Sequence, residues 1–220
     1  MGNMRQSLEQ TNKQLKPGQA IEYLSFLSDA VQEITSSLDY AKTLSNVAHA
    51  MVPKLSDWCA IDILQANGKL KRLVAAHTDP EKIKKALELG KKYPRNPKAD
   101  SGTSHVVKTG QPEMFNGIQD KQLVENAINE EHLSMMRAMN FYSLMIVPIK
   151  SRGRTLGTLT LVWAESRNFY TLADLVFAET LAAVAGSAID NAQMYLTATA
   201  TTPKPRAAKK SLKPLKPDLV

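Results

Sequence analysis

Residues 143–150 read SLMIVPIK, residues 151–154 SRGR and residues 155–163 TLGTLTLVW. The runs Leu144 to Ile149 and Leu156 to Val162, joined by a short polar segment with one glycine, predict a β-hairpin. Both strands read as apolar on both faces rather than alternating. Such strands must be covered from two sides, so they belong in the middle of a sheet with further layers above and below.

A second hairpin lies upstream, where residues 58–64 and 70–76 flank Asn67-Gly68, a pair that supplies the positive φ angles of a tight turn. It runs into Thr78-Asp79-Pro80-Glu81: Asp79 can cap a helix, Pro80 suits its first position and Glu81 complements its dipole. That helix should reach about residue 92. Residues 93–118 are irregular, because Tyr93-Pro94-Arg95-Asn96-Pro97 resists regular structure. Within them, Ser101-Gly102-Thr103-Ser104-His105-Val106-Val107 can start a short helix ending at Gly110, and residues 111–115 can form a short edge strand. Residues 120–139 read as one helix rich in acids and methionine.

The ends of the folded region are helical. Leu24, Leu27, Val31, Ile34 and Leu38 recur at steps of three, four, three and four, a heptad seam within residues 21–38 that lies either on the domain itself or against a second copy. Residues 40–55 form a second helix capped by Asp39, with Leu44, Val47, Ala48, Met51 and Leu55 on one face. At the other end, Thr171 and Asp174 make a capping-box pattern that opens a long helix to about residue 196. Only Asp174, Glu179 and Asp190 are charged in that helix, so it must be covered on more than one side. The order of elements predicts an α+β fold: an antiparallel central sheet flanked by helices.

Charge divides unevenly along the 220 residues. The net +7 splits into +2 for residues 1–20 and +5 for residues 197–220, and 7 − 2 − 5 = 0 leaves residues 21–196 neutral. Basicity belongs to the ends and is no signature of the core. Three segments follow: a flexible N-terminal segment (1–20), one domain (21–196) and a basic Lys/Pro/Ala-rich disordered tail (197–220). The tail has no aromatic residue on which to stack bases, which leaves a solubilising role or weak electrostatic contact with nucleic acid, acidic lipid or an acidic partner. The lone Cys59 excludes a disulfide framework within the chain and suits a reducing compartment. The longest apolar run, near residues 175–189, is interrupted by Glu179 and closed by Asp190. We therefore expect a cytoplasmic protein without a membrane span.

The chain resembles a GAF domain of the type found in bacterial sensor histidine kinases and sporulation-type serine phosphatases. The resemblance covers about residues 22–196. It rests on Asp57-Trp58-Cys59-Ala60-Ile61-Asp62 leading to Asn67-Gly68, on Ala75 to Pro80, and on Ser101-Gly102-Thr103 with Thr109-Gly110-Gln111-Pro112-Glu113. It continues through Val147-Pro148-Ile149 with Arg152-Gly153-Arg154-Thr155-Leu156-Gly157, and through Tyr170 to Asp174 with Ala188-Ile189-Asp190-Asn191-Ala192. It implies terminal helices packed on one face of the sheet and a pocket on the other, under the irregular segment. Bilin-binding members carry a chromophore cysteine in or near the helical pocket segment, whereas Cys59 falls on the first strand, so covalent bilin is not implied. The member that reduces free methionine sulfoxide relies on several cysteines, and one cysteine cannot form an intramolecular disulfide. Cyclic-nucleotide binders carry an Asn-Lys pair within the domain, and no Asn-Lys dipeptide occurs between residues 22 and 196.

The remaining chemistry is sparse. No Walker loop or Gly-x-Gly-x-x-Gly occurs. His49, His77, His105 and His132 fall in separate elements, so no metal or cofactor is expected. Ser104-His105 could orient a polar ligand, although Ser101 or Thr103 capping explains the same residues. Asp62 interrupts an apolar strand and reads as a face-alternation residue near a strand edge rather than a catalytic acid; buried, it would need partners. Glu125, Glu130 and Glu131 read as a solvated face, and Met135, Met136, Met139 and Met145 as flexible packing or an adaptable ligand wall.

We expect a stand-alone sensor or adaptor in signal transduction, not an enzyme. It would bind a small molecule or partner protein and relay through its terminal helices to a signalling kinase or phosphatase, as in two-component systems. The alternative is a nucleic-acid-associated accessory protein acting through its tail. The expected pocket lining is Ile63, Ala75, Tyr93, Thr103, His105, Phe115, Met145 and Val147. The expected homodimer interface joins Leu24, Leu27, Val31, Ile34 and Leu38 to Ala185 and Ile189.

Overall fold

The computed structural model describes residues 18–36 and 39–201. Leu38, the first 17 residues of the expected N-terminal segment and the tail from residue 202 lie outside the described residues. The elements run α1 (Gln19–Ser36), α2 (Tyr40–Met51), β1 (Trp58–Leu64), β2 (Leu70–His77), α3 (Pro80–Lys92), α4 (Thr103–Thr109), β3 (Glu113–Asn116), α5 (Asp120–Asn126), α6 (Glu130–Ala138), β4 (Ser143–Ser151), β5 (Arg154–Trp163) and α7 (Leu172–Thr201).

The expected local signals act where they stand in sequence. Asp79 accepts from the Glu81 amide at 2.9 Å with Pro80 opening α3. The Asp39 carboxylate accepts from the Lys42 amide at 3.1 Å. Thr171 and Asp174 cap α7 reciprocally, at 2.6 Å and 3.3 Å. Arg152 and Gly153 both take positive φ (49° and 75°) and close the β4–β5 hairpin as a two-residue turn. Two boundaries differ from expectation. Helix α2 stops at Met51 rather than near residue 55, because Pro53 follows and has no amide hydrogen to continue the ladder. The single helix expected over residues 120–139 is two, since Asn129 turns extended and caps α6 by accepting from the His132 amide at 2.8 Å.

Five strands form one antiparallel sheet in the order β2-β1-β5-β4-β3. Strands β5 and β4 are interior, as their two-faced apolar character requires. One face carries α1, α2 and α7. There Cys59, Ile61 and Ile63 of β1, Met145, Val147 and Ile149 of β4, and Leu159 and Leu161 of β5 meet Ile34, Leu44, Met51, Phe177, Leu181 and Ile189. Each large side chain buried this way contributes about 2 kcal/mol of transfer free energy. Burial also pushes the Cys59 thiol up to about 12, so at neutral pH it is an inert apolar group.

Helix α7 lies unusually close to the sheet. A Cβ placed on Gly186 would stand 2.1 Å from the Lys150 carbonyl oxygen, and one on Gly157 would stand 2.1 Å from that of Asp62. Four residues past Gly186, the buried Asp190 carboxylate accepts from Ser151 Oγ (3.1 Å) and pairs with Arg152 (2.9 Å) and Arg154 (3.2 Å), so the helix grips the hairpin turn. Residues Leu172–Tyr195 are long and apolar enough to cross a membrane by length and composition alone. In the fold, their inner side packs on the sheet through Phe177, Leu181, Ala185 and Ile189.

The terminal helices alter the reading of the heptad seam. Ile34, Ala185 and Ile189 are buried within one chain (1%, 5% and 0% exposed) and cannot be interface residues of the folded monomer. Their partners are the sheet and each other's helices. Leu27 and Val31 are half-buried and Leu24 is exposed. The inner side of α1 is set by Tyr23, Ala30 and Ile34, with Tyr23 donating to Asp174 and ringing against Phe177 at 4.7 Å.

Candidate functional site

The opposite face of the sheet carries α3, α4 and α6. Because β1 alternates strictly, its residues Trp58, Ala60 and Asp62 point to this side while Cys59, Ile61 and Ile63 point to the helical core. Trp58, Met139, Val162 and Ala164 form a small second cluster here, extended by Ala86, Leu89, Phe141 and Leu144.

Beside that cluster sits Asp62, fully buried on β1. Strand β2 places Arg72 directly across from it, and the irregular segment after α3 brings Arg95 onto the same carboxylate. Arg72 donates from Nε (2.8 Å) and Nη2 (3.0 Å), and Arg95 from Nη2 (2.9 Å) and Nη1 (3.3 Å). One carboxylate thus takes two forked guanidinium contacts. Burial pulls Arg95 below its ordinary value, against the attraction of Asp62.

Above the arginines opens a cavity of about 740 Å³, enclosed by the β1–β2 hairpin, α3, residues 93–97, α4 and α6 with the segment after it. Its apolar walls include Leu64, Leu89, Val107, Met139 and Phe141. Its cations are Lys69, Arg72, Lys91, Arg95 and Lys108, and among the described residues no acidic side chain lines it. Tyr93 closes one side: its ring stacks on His132 at 4.4 Å, and its hydroxyl reaches Asn129 Oδ1 (3.1 Å) and Glu131 Oε2 (3.0 Å). Lys92 pairs with Glu131 at 2.5 Å alongside, which ties α3 to α6 and holds the Glu131 carboxyl below its usual range.

Of the eight residues expected to line a pocket, Tyr93 lines this cavity. Ile63, Met145 and Val147 lie in the core under α1, α2 and α7, the opposite face from the one expected. Their strands are apolar on both sides, so the residue pattern does not distinguish the faces, and a one-residue error exchanges them. Ala75 is half-buried on β2 and Phe115 half-buried on the edge strand β3. Thr103 opens α4, and His105 stands 3.9 Å from Glu113 Oε1, whose carboxyl is raised by burial. Neither Thr103 nor His105 lines the cavity, although their neighbour Ser104 does.

Asp62 is no strand-edge residue: β1 is the second strand of the sheet and its carboxylate is fully enclosed. The partner Arg72 was signalled by the turn. Pairing outward from Gln65 and Lys69 sets Leu64 against Leu70 and Asp62 against Arg72. Arg95 carries no comparable local signal, because it arrives from a segment without periodicity. Among the described residues, no group of His, Cys, Asp and Glu is placed to hold a metal ion.

The GAF domain family model matches residues 27–189. The chain belongs to the GAF domain family. GAF domains are sensor-type signalling domains, generally regulatory rather than catalytic. Solved GAF structures share the fold at low identity. The GAF domain of a phosphoenolpyruvate-protein phosphotransferase from Coxiella burnetii is 18% identical with a TM-score of 0.61, covering 81% of this chain and 98% of that one. The corresponding Acinetobacter domain is also 18% identical, with a TM-score of 0.52 and coverage of 78% and 94%. The free methionine-R-sulfoxide reductase from Neisseria meningitidis is 13% identical, with a TM-score of 0.59 and coverage of 83% and 96%. A comparison with curated proteins finds no match. The likeness to the reductase is one of fold. In this GAF domain the one cysteine is buried in the helical core, on the other side of the sheet from the cavity.

Proposed function

We propose that this GAF domain is a non-catalytic cytoplasmic sensor whose small-molecule ligand occupies the cavity over β1 and β2, and whose terminal helices α1 and α7 relay occupancy to a partner. The observation that carries the reading is the cavity itself: about 740 Å³, open to solvent, with apolar walls and a few convergent polar groups. A lone inert thiol supports a regulatory role over thiol chemistry and suits a reducing compartment.

Protein purified from its own cells and measured by native mass spectrometry should carry a small molecule. Leu87→Trp fills the cavity from a half-exposed wall position and should remove that mass without unfolding the protein. Unmodified protein that is uniformly free of any retained mass, and that gains none from a cell extract, would count against the sensor reading.

A signalling kinase or phosphatase partner and a second copy of the chain both belong to this proposal. Ile21, Leu24 and Val176 are apolar and exposed on the two terminal helices, and pairing there with a second copy would cover them. Sedimentation equilibrium should then show a dimer that Leu24→Glu with Val176→Glu converts to monomer; a monomer at high micromolar concentration before substitution rules the pairing out.

A further inference from the structure

We infer that the cavity selects an anionic ligand, a small molecule with a carboxylate or phosphate head on an apolar body, and that Arg72 and Arg95 hold the head. The inference rests on the reading of the cavity as the ligand site and adds the chemistry of what enters it.

The charge balance at the cavity floor is incomplete. Two guanidiniums share one buried carboxylate, so 2 − 1 leaves one positive charge with no protein counter-ion among the contacts of the pair. Lys69, Lys91 and Lys108 add three more cations to the walls. Glu131, beside the Tyr93 wall, is already engaged by Lys92 and Tyr93. A cleft with excess positive charge favours an anion over a neutral ligand of the same shape.

Donor geometry points the same way. An arginine has five N–H donors. Each of these commits two to Asp62, so 5 − 2 leaves three on each side chain, without an acceptor among the described residues. Asp62 fixes both planes before any ligand arrives: it is 0% exposed, and Arg72 and Arg95 remain 27% and 37% exposed, accessible from the cavity they line. Pre-oriented forks of this kind match the oxygen spacing of a carboxylate or phosphate. Leu64, Leu89, Val107, Met139 and Phe141 would then enclose the apolar body.

Calorimetric titration of the full chain with three probes of one shape tests this: 1-naphthoate, 1-naphthyl phosphate and the neutral 1-naphthalenemethanol. At least one anion should bind about tenfold or more tightly than the alcohol, the scale of one charge-assisted hydrogen-bonded contact. The stronger of the two anions identifies the head group. Arg95→Met should remove that advantage while leaving alcohol binding within about twofold, and Lys121→Met, which deletes one exposed charge outside the cavity, should change neither. Equal binding of the alcohol and both anions to the unmodified protein overturns the inference without needing any variant. So does an anion preference that survives in folded Arg95→Met. If Leu87→Trp still abolishes binding in those cases, the cavity remains the ligand site and only its charge preference is wrong. Failure of all three probes also overturns the anion assignment, whereas the sensor reading falls only on the native mass measurement.

Discussion

Asp62→Ala should lower the stability of the protein by about 2–3 kcal/mol, read from the urea midpoint at unchanged m-value. Removing the carboxylate leaves two guanidiniums facing one another without their shared acceptor. Breaking a fully buried pair costs about 3–5 kcal/mol. The smaller figure applies here because both arginines are partly exposed and can turn toward water. Combining Asp62→Ala with Arg95→Met should restore part of the loss, since one of the two repelling charges is gone. A loss below about 0.5 kcal/mol for Asp62→Ala, the range of an ordinary surface change, would mean that the carboxylate does not organise the floor of the cavity.

Gly186→Ala should destabilise by about 2 kcal/mol net, although alanine is the best helix former and would raise helix propensity by about 1 kcal/mol. The new Cβ meets a backbone oxygen, that of Lys150, at 2.1 Å. No rotamer change relieves contact with a backbone atom, so α7 must lift from β4, at a cost near the upper end of the 1–3 kcal/mol typical of overpacking. In a chain of this size the thermal midpoint should fall by about 4–8 °C. Gly90→Ala is the matched comparison: it lies in α3 with nothing within 4 Å of the added carbon, so only the propensity gain applies. If both substitutions shift the midpoint upward, the close approach of α7 to the sheet is not as described.

The local code of this fold is legible almost residue by residue. Asp79-Pro80 and Thr171 with Asp174 each mark a boundary through short-range chemistry that the structure uses where it stands, while at Asn67-Gly68 the turn takes positive φ at Gly68 (77°) but not at Asn67. Faces and partners are harder, because they are decided at long range. Met145 and Leu144 are both apolar, and only the position of α7 makes one of them core beneath the terminal helices. In β2 an extra residue, Leu73, enters at the bulge opposite Ile61 and Asp62, so a period-two count along the strand changes face there. Of the heptad seam Ile34 is buried, within the chain, while Tyr23 and Ala30, which the seam does not include, share the inner side of α1 with it. At the cavity, Asp62 announced its need for partners by interrupting an apolar strand. Arg72 could be found by counting back from the turn, whereas Arg95 could not, since nothing in residues 93–102 says where that loop returns to the sheet.

The Asp190 contacts bear on the relay proposed for the terminal helices. They fasten α7 to the β4–β5 turn four residues past the point where Gly186 lets the helix rest on Lys150. Ala192 is the last buried side chain described on α7, yet the helix continues to Thr201. At about 1.5 Å per residue, those nine further residues extend the helix about 14 Å along its axis beyond Ala192. On the relay proposed for α7, a slight tilt of the helix at Ala192 would become a larger sideways travel at Thr201.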